Sequence, residues 1–288
     1  MGASRPARGG ARDVSAARTA AVGGSVGGPD GGPLLFARYA YPPNELGYCG
    51  PDASRELLER ASAATAGGVP DDGGLRLQAR GFEGAWPYLE LIAHAHGLAD
   101  PLDRRVVEAY WVGNDLLRGV SRAALGACLE DRFRPRGRAA WEGVAGAVGG
   151  PGRAVPHHSF HVLAVYPWVG LLRSGLRDEA LRVLDRCRIR WGRVLEVSGG
   201  HAVIRSRPLV WDGHRLGEGP PVVERVVTRV DGYGLAPALA PGDWCSAHWD
   251  WACDRLDHRG VAALRSWTRH QLAVIDGLER PAPARVLA

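Results

Sequence analysis

The apolar positions change their period partway along the chain, and that change divides it. From Leu34 to about Asp185 they recur at helical spacing: Pro51 and Asp52 open a segment through Leu57, Leu58 and Ala61, and Val106, Tyr110 and Leu117 mark another amphipathic stretch. Further helices are predicted over Trp86 to Ala95, Ser121 to Phe133 and Phe160 to Leu172, each bounded by Gly or Pro, with a short one over Asp178 to Arg186. From Cys187 onward β-branched residues take over. Runs over Ile189 to Val197, Ala202 to Trp211 and Val222 to Val230 are set apart by turns such as Ser198-Gly199-Gly200 and Asp212-Gly213, and read as strands. In the third run Val226, Thr228 and Val230 alternate with Val227 and Arg229, the period of a strand with one buried face. A fourth strand is expected after Pro241-Gly242, carrying Trp244, Ala247 and His248. After Asp257, an N-cap residue, Val261, Leu264, Trp267, Leu272 and Ile275 return to helical spacing. The pattern predicts an α+β fold: a mostly helical domain over residues 33–185, then a small β-barrel with a C-terminal helix over residues 186–278.

Composition adjusts this picture at the ends. Residues 1–32 are Gly, Ala, Ser and Arg with almost no large apolar side chain, so a disordered tail is expected there, and a second short tail over 279–288. All 36 basic residues are arginine, a bias that with 40 Gly and 20 Pro matches GC-rich coding and carries no chemistry. The net charge of +5 is concentrated in the two tails, so the body is near neutral and no nucleic-acid-sized basic field is expected. The longest apolar run, Val162 to Leu172, is broken by Pro167 and too short to span a bilayer, so no membrane partner is expected. Five cysteines without a CxxC pair suit free thiols in a reducing cytoplasm.

Chemistry concentrates at Cys187-Arg-Ile-Arg-Trp-Gly-Arg-Val194, where a cysteine at the mouth of the first predicted strand precedes a glycine that lets the strand bend. Ala202-Val203 follows on a second strand, then Pro241-Gly242-Asp243-Trp244-Cys-Ser-Ala-His248, then Leu256-Asp257 and the amphipathic helix. This order resembles the HypC/HupF family of small hydrogenase-assembly chaperones over roughly residues 187–275, in motif order more than in identity. The resemblance implies an OB-like barrel. It also implies that Cys187, helped by His248, holds an iron centre with carbonyl and cyanide ligands while a HypD-like scaffold and the precursor of the [NiFe] hydrogenase large subunit exchange it. Two features depart from the family: the cysteine is internal, and Trp191 stands where the family has proline. A thiolate suits a soft iron fragment, and Arg186, Arg188 and Arg190 are expected to favour that thiolate over the opposing dipole of a preceding helix end. The plainer alternatives are a buried structural cysteine and a core-edge histidine bonded to backbone. Cys245 and Cys253 lack the second pair of a zinc ribbon and read as small hydrophobes.

A second cluster is His157-His158-Ser-Phe-His161. On a helix His157 and His161 lie one turn apart and could both reach a metal; directly after Pro156 they could equally be exposed histidines of a helix start. If that helix packs on the barrel, these side chains line the same site as Cys187. The segment from Phe36 to Pro51 is dense in aromatics and proline, and resembles the opening of an uncharacterised family of actinobacterial proteins. Asn44, Glu45 and Cys49 on a rigid loop there are either a recognition surface or a staple on the helical core. Asn44, Glu45 and Trp191 form the candidate partner-binding set. The leading expectation is a cytoplasmic accessory protein, not an enzyme, of [NiFe] hydrogenase metallocentre assembly that handles iron and recognises a client. The alternatives are a metal-dependent hydrolase built on His157, His158 and His161, though GxSxG, P-loop and HExxH motifs are absent, and an OB-type nucleic-acid-binding module.

Overall fold

The structure is a computed structural model that describes residues 1–2, 31–68, 72–133, 138–150, 152–166 and 168–277. The expected tails fall largely outside the described residues, but the N-terminal boundary shifts. Helix α1 spans Gly32–Glu45 with Gly31 as N-cap and Pro33 in its first turn, where a missing N–H costs nothing. Gly32 belongs to the fold: a Cβ there would stand 1.8 Å from the Leu102 carbonyl oxygen. α1 continues through Pro42 and Pro43, so Asn44 and Glu45 sit on its last turn and not on a loop. Every α1 residue from Gly32 to Asn44 is buried, which removes the polar face that would have announced a helix.

Helices α2 (Ser54–Thr65), α3 (Asp72–Arg80), α4 (Trp86–Ala95), α5 (Arg104–Trp111), α6 (Leu116–Gly119), α7 (Arg122–Phe133) and α8 (Arg138–Gly149) complete most of the helical half. The single stretch expected through Val106, Tyr110 and Leu117 is broken between α5 and α6 at Gly113, whose φ of 97° suits glycine. The helix expected over Phe160 to Leu172 is likewise in pieces. α9 (His158–Phe160) passes into a π-helical turn over His161–Val165, and α10 (Trp168–Arg173) follows. α11 (Arg177–Cys187) ends on the cysteine that the pattern placed at a strand mouth.

The second half holds β1 (Arg190–Ser198), β2 (His201–Ser206), β3 (Leu209–Trp211), β4 (Leu216–Glu218), β5 (Val222–Val227), β6 (Trp244–His248) and β7 (Trp251–Leu256). Strands pair in the order β1, β2, β5, β7, β6, and β6 returns to β1 to close the barrel, while β3 and β4 form a separate hairpin. The seam between β5 and β7 is one parallel pair, Val227 with Trp251. The run expected over Ala202 to Trp211 is split by Arg207 and Pro208 into β2 and β3, and the pattern announces neither β4, only three residues long, nor β7, which is joined to β6 by only Trp249 and Asp250 with no glycine to mark a turn. At Gly192 a Cβ would lie 2.8 Å from Ile204 inside the barrel, so the glycine makes room for that side chain, while the irregularity of β1 falls between Val194 and Glu196. The lining is small and apolar, with Val194, Ala202, Ile204, Val226, Cys245, Ala247 and Ala252. α12 (His258–Asp276) follows its Asp257 N-cap, whose Oδ1 accepts the Gly260 N–H at 2.7 Å.

The two halves share a core. The main cluster joins α1, α4 and α5 to Ile189, Trp191, Trp251, Cys253 and Leu264 of the second half. Polar ties cross the same boundary: Tyr39 meets Ser246 at 2.9 Å, and the buried Arg38 guanidinium pairs with Asp254 at 3.3 Å. Among the described residues no helix is long and apolar enough to cross a membrane.

Candidate metal centre

Alternation along β6 decides where His248 points. Cys245 and Ala247 line the barrel, so Ser246 and His248 face outward onto the helical half. His248 is buried, and its Nδ1 donates to the Tyr39 carbonyl of α1 at 2.6 Å. That bond fixes the tautomer and leaves Nε2 with a lone pair, buried and without a hydrogen-bond partner.

Cys187 reaches the same spot from the end of α11. The β6–β7 turn is tied to that helix end, because the Trp249 N–H donates to the Arg186 carbonyl at 2.7 Å while Arg190 donates to the Trp249 carbonyl at 2.7 Å. Trp249 takes φ +50°, uncommon for a bulky residue, and the two backbone bonds plus stacking of its indole on Tyr48 at 4.5 Å hold it there. His158 arrives from α9. Its Nε2 donates to the Cys187 carbonyl at 2.8 Å, and its ring lies 5.0 Å from that of His248.

One candidate ligand atom from each of His158, Cys187 and His248 therefore lies within 4.8 Å of the others, and all three residues are buried. Ligand atoms around a tetrahedral zinc-class ion stand about 3.3–3.8 Å apart, so the group must contract by roughly 1 Å to hold one. Trp111 closes the other side, its ring 4.6 Å from His158 and 5.8 Å from His248, with its indole N–H buried and unpartnered. Burial pushes the His158 imidazole down to about 4, against the opposing pull of the Cys187 carbonyl. Burial and the neighbouring His158 hold His248 well below the usual histidine range. Burial pushes the Cys187 thiol up, and Cys49 adds to the rise. Without a metal the site thus holds two neutral imidazoles and a protonated thiol, a donor set that becomes a ligand set once the thiol loses its proton.

The arginines expected to lower the Cys187 thiol do not do so. Arg186 pairs with Glu224 at 2.9 Å and Asp250 at 3.1 Å, Arg188 with Asp185 at 3.1 Å, and Arg190 with Glu224 at 3.3 Å. Their charges are spent on carboxylates. Cys187 and His248 lie outside the barrel lining, where His248 is bonded to Tyr39 of α1 and Cys187 to His158 of α9.

The other named residues lie elsewhere. His157 is the N-cap of α9, its Nδ1 accepting the Ser159 N–H at 3.1 Å, and His161 bonds Tyr88 at 3.0 Å and packs on Tyr166. The cluster is therefore not a row along one helix face, because helical geometry begins only at His158. Asn44 and Trp191 are buried and present no surface to a partner. Asn44 donates to the Cys49 and Pro51 carbonyls at 2.8 Å each, and the Arg188 guanidinium lies over Trp191 at 5.7 Å. Glu45 is exposed but accepts from Tyr41 at 2.7 Å and Trp251 at 3.0 Å. Tyr39, Tyr110, Trp111 and Trp249 support the site; in the sequence Tyr110 marks the apolar face of a helix and Trp249 is one of the two indoles flanking Asp250, while Tyr39 and Trp111 carry no signal of their own.

No curated protein and no solved structure matches the chain. The profile of DUF6390, described as a family of unknown function, matches residues 28–281, a span that takes in both halves and all three buried donors, and the chain accordingly belongs to the DUF6390 family.

Proposed function

We propose that the protein is a metal-handling protein that binds a borderline or soft divalent ion, of the zinc, cobalt or ferrous class, through His158, Cys187 and His248. The observation that carries this reading is the convergence of three buried donors from α9, α11 and β6 within 4.8 Å, with His248 Nε2 left unpartnered. An imidazole-thiolate set selects such ions over magnesium or calcium, which require oxygen donors. One nitrogen of His158 has to exchange a partner on binding: Nε2 would release the Cys187 carbonyl, or Nδ1 the long 3.3 Å contact with Tyr110.

The finer role is that of the HypC/HupF resemblance: the ion is cargo, an iron precursor passed to a HypD-like scaffold or to the large-subunit precursor of a hydrogenase. Support for cargo is the Cys187 thiol in the donor group, whose thiolate suits a soft iron fragment. Transfer then requires an opening over Cys187, and the Tyr48–Trp249 stack is suited to it, since Tyr48 is 42% exposed and belongs to a short surface segment. The hydrolase alternative loses two of its three ligands, because His157 and His161 are bonded away from the group.

Two measurements test this in sequence. Metal analysis of anaerobically purified protein should find an ion that is lost in Cys187→Ser. In a host that makes a nickel-iron hydrogenase, that variant should be soluble at normal abundance yet leave immature large subunit to accumulate. Wild-type maturation by Cys187→Ser would overturn the assembly role.

A further inference from the structure

Resting on the metal reading above, we propose that Cys49 is the fourth ligand, completing with His158, Cys187 and His248 a buried His2Cys2 site for a tetrahedral divalent ion of the zinc class. The three donors already described leave such an ion one ligand short in a place closed to solvent. They also leave it unbalanced. Two neutral imidazoles and one thiolate around a divalent ion carry a net positive charge, and a buried charge without compensation is strongly disfavoured. A second thiolate neutralises it. A carboxylate could do the same, but the group contains none among the described residues, and the acidic residue of the nearby segment, Glu45, is engaged by Tyr41 and Trp251.

Cys49 is placed for the part. It follows Tyr48, whose ring stacks at 4.5 Å on Trp249, the residue directly after His248, so the segment lies across the turn that carries one ligand. The cysteine is half-buried and packs against the main core, the cluster that includes Tyr110 and Trp111 beside the imidazoles. The Tyr110 hydroxyl meets His158, and the same phenol has both the Cys49 and Cys187 thiols among its electrostatic neighbours. Burial pushes the Cys49 thiol up to about 12, so it is protonated when the site is empty. The backbone is held by the two 2.8 Å bonds from Asn44 to the Cys49 and Pro51 carbonyls and by Gly50, where a Cβ would strike the Phe82 ring at 2.4 Å. The Cys49 thiol stands outside the 4.8 Å group and has to move inward to reach an ion there; Gly47, at φ 73° in open space, leaves the outer part of the segment free to follow. Each thiol gives up its proton to solvent as its bond to the metal forms.

The test uses the full-length protein under anaerobic conditions, loaded with Co2+ as an optical probe and with Zn2+ for affinity. Wild-type protein should show a tetrahedral cobalt spectrum with sulfur-to-metal charge transfer from two thiolates. Cys49→Ser should keep the ion but show about half that intensity, with Zn2+ affinity lowered by at least the roughly 10- to 100-fold that follows loss of even an outer partner. Cys128→Ser, on α7 with its thiol against the Pro87 carbonyl and outside the donor group, should match wild type. Should Cys49→Ser fail to fold, alkylation of the wild-type protein gives the answer without a variant: Zn2+ should protect Cys49 and Cys187 together while leaving the labelling of Cys128 unchanged. Two-sulfur binding, or joint protection, supports the proposal. A wild-type one-sulfur spectrum that Cys49→Ser does not alter, or protection of Cys187 alone, overturns the role of Cys49 and leaves the three-donor site standing. Absence of any Co2+ or Zn2+ binding by wild-type protein overturns both.

Discussion

At Cys187 a single thiol can be a ligand or a packing atom, and a conservative substitution separates the two. Cys187→Ser keeps the volume but leaves a hydroxyl in an apolar surround, a cost to stability of about 1–3 kcal/mol. A hard hydroxyl is a poor substitute for a thiolate on a soft ion, so metal affinity should fall by more than about 100-fold while the urea midpoint moves modestly. Equal Zn2+ affinity in titrations of the two proteins would assign the thiol to packing. The histidines predict a pH response of the metal-free protein. His158 is held at about 4 in the fold against about 6.5 in an unfolded chain, so between those values the unfolded state binds a proton that the folded state refuses. Stability is therefore fully present above pH 7 and is lost as pH falls from about 6.5 toward 4, at up to about 1.4 kcal/mol per pH unit for this residue. His157, held at about 3, and His248 act with the same sign. Urea midpoints that stay level between pH 7 and 4.5 would contradict the buried, neutral imidazoles.

Elements position these residues through one polar knot at the end of α11. Glu224 of β5 accepts from Arg186, Arg190 and Ser206, and Arg190, itself 1% exposed, holds the Trp249 carbonyl. Burial alone would raise the Glu224 carboxyl, but the two guanidinium groups and Ser206 hold it below its usual value. Glu224→Ala leaves Arg190 buried without its carboxylate, which should cost roughly 3–5 kcal/mol. It should also weaken metal binding although it removes no ligand, because the Trp249 turn loses its anchor; the milder Glu224→Gln should retain more of both. Thermal melts with and without Zn2+ check this, and a variant with unchanged affinity would detach the knot from the site. The same scale explains what the sequence made legible. α4, α7, α11 and α12 have amphipathic spacing or polar boundaries, and their expected spans differ from the structure by a residue or two. α1 was hidden because it is buried all round, and β7 because a two-residue turn with tryptophan in the left-handed region lacks the usual glycine signal. Cys187 and His248 stood out as residue types in a motif order. His158 could not be separated from His157 and His161 without knowing that His157 is the cap, and the arginines' preference for Glu224, Asp250 and Asp185 is a matter of tertiary pairing that spacing does not reveal.

Across the whole molecule, the three donors come from chain positions up to 90 residues apart and from both halves, with α1 supplying the carbonyl that orients His248. An ion bound there clamps the helical half to the barrel, and because an unfolded chain cannot present the set, binding is linked to folding. At a free concentration 100 times the dissociation constant the gain is about 2.7 kcal/mol. The most direct measurement is the metal content of protein purified anaerobically, equilibrated with Zn2+ and desalted, followed by X-ray absorption at the metal edge. The account predicts one ion per chain with nitrogen and sulfur neighbours, lost in His248→Ala and Cys187→Ser. Folded wild-type protein that emerges without metal, or an ion surrounded by oxygen alone, would contradict it.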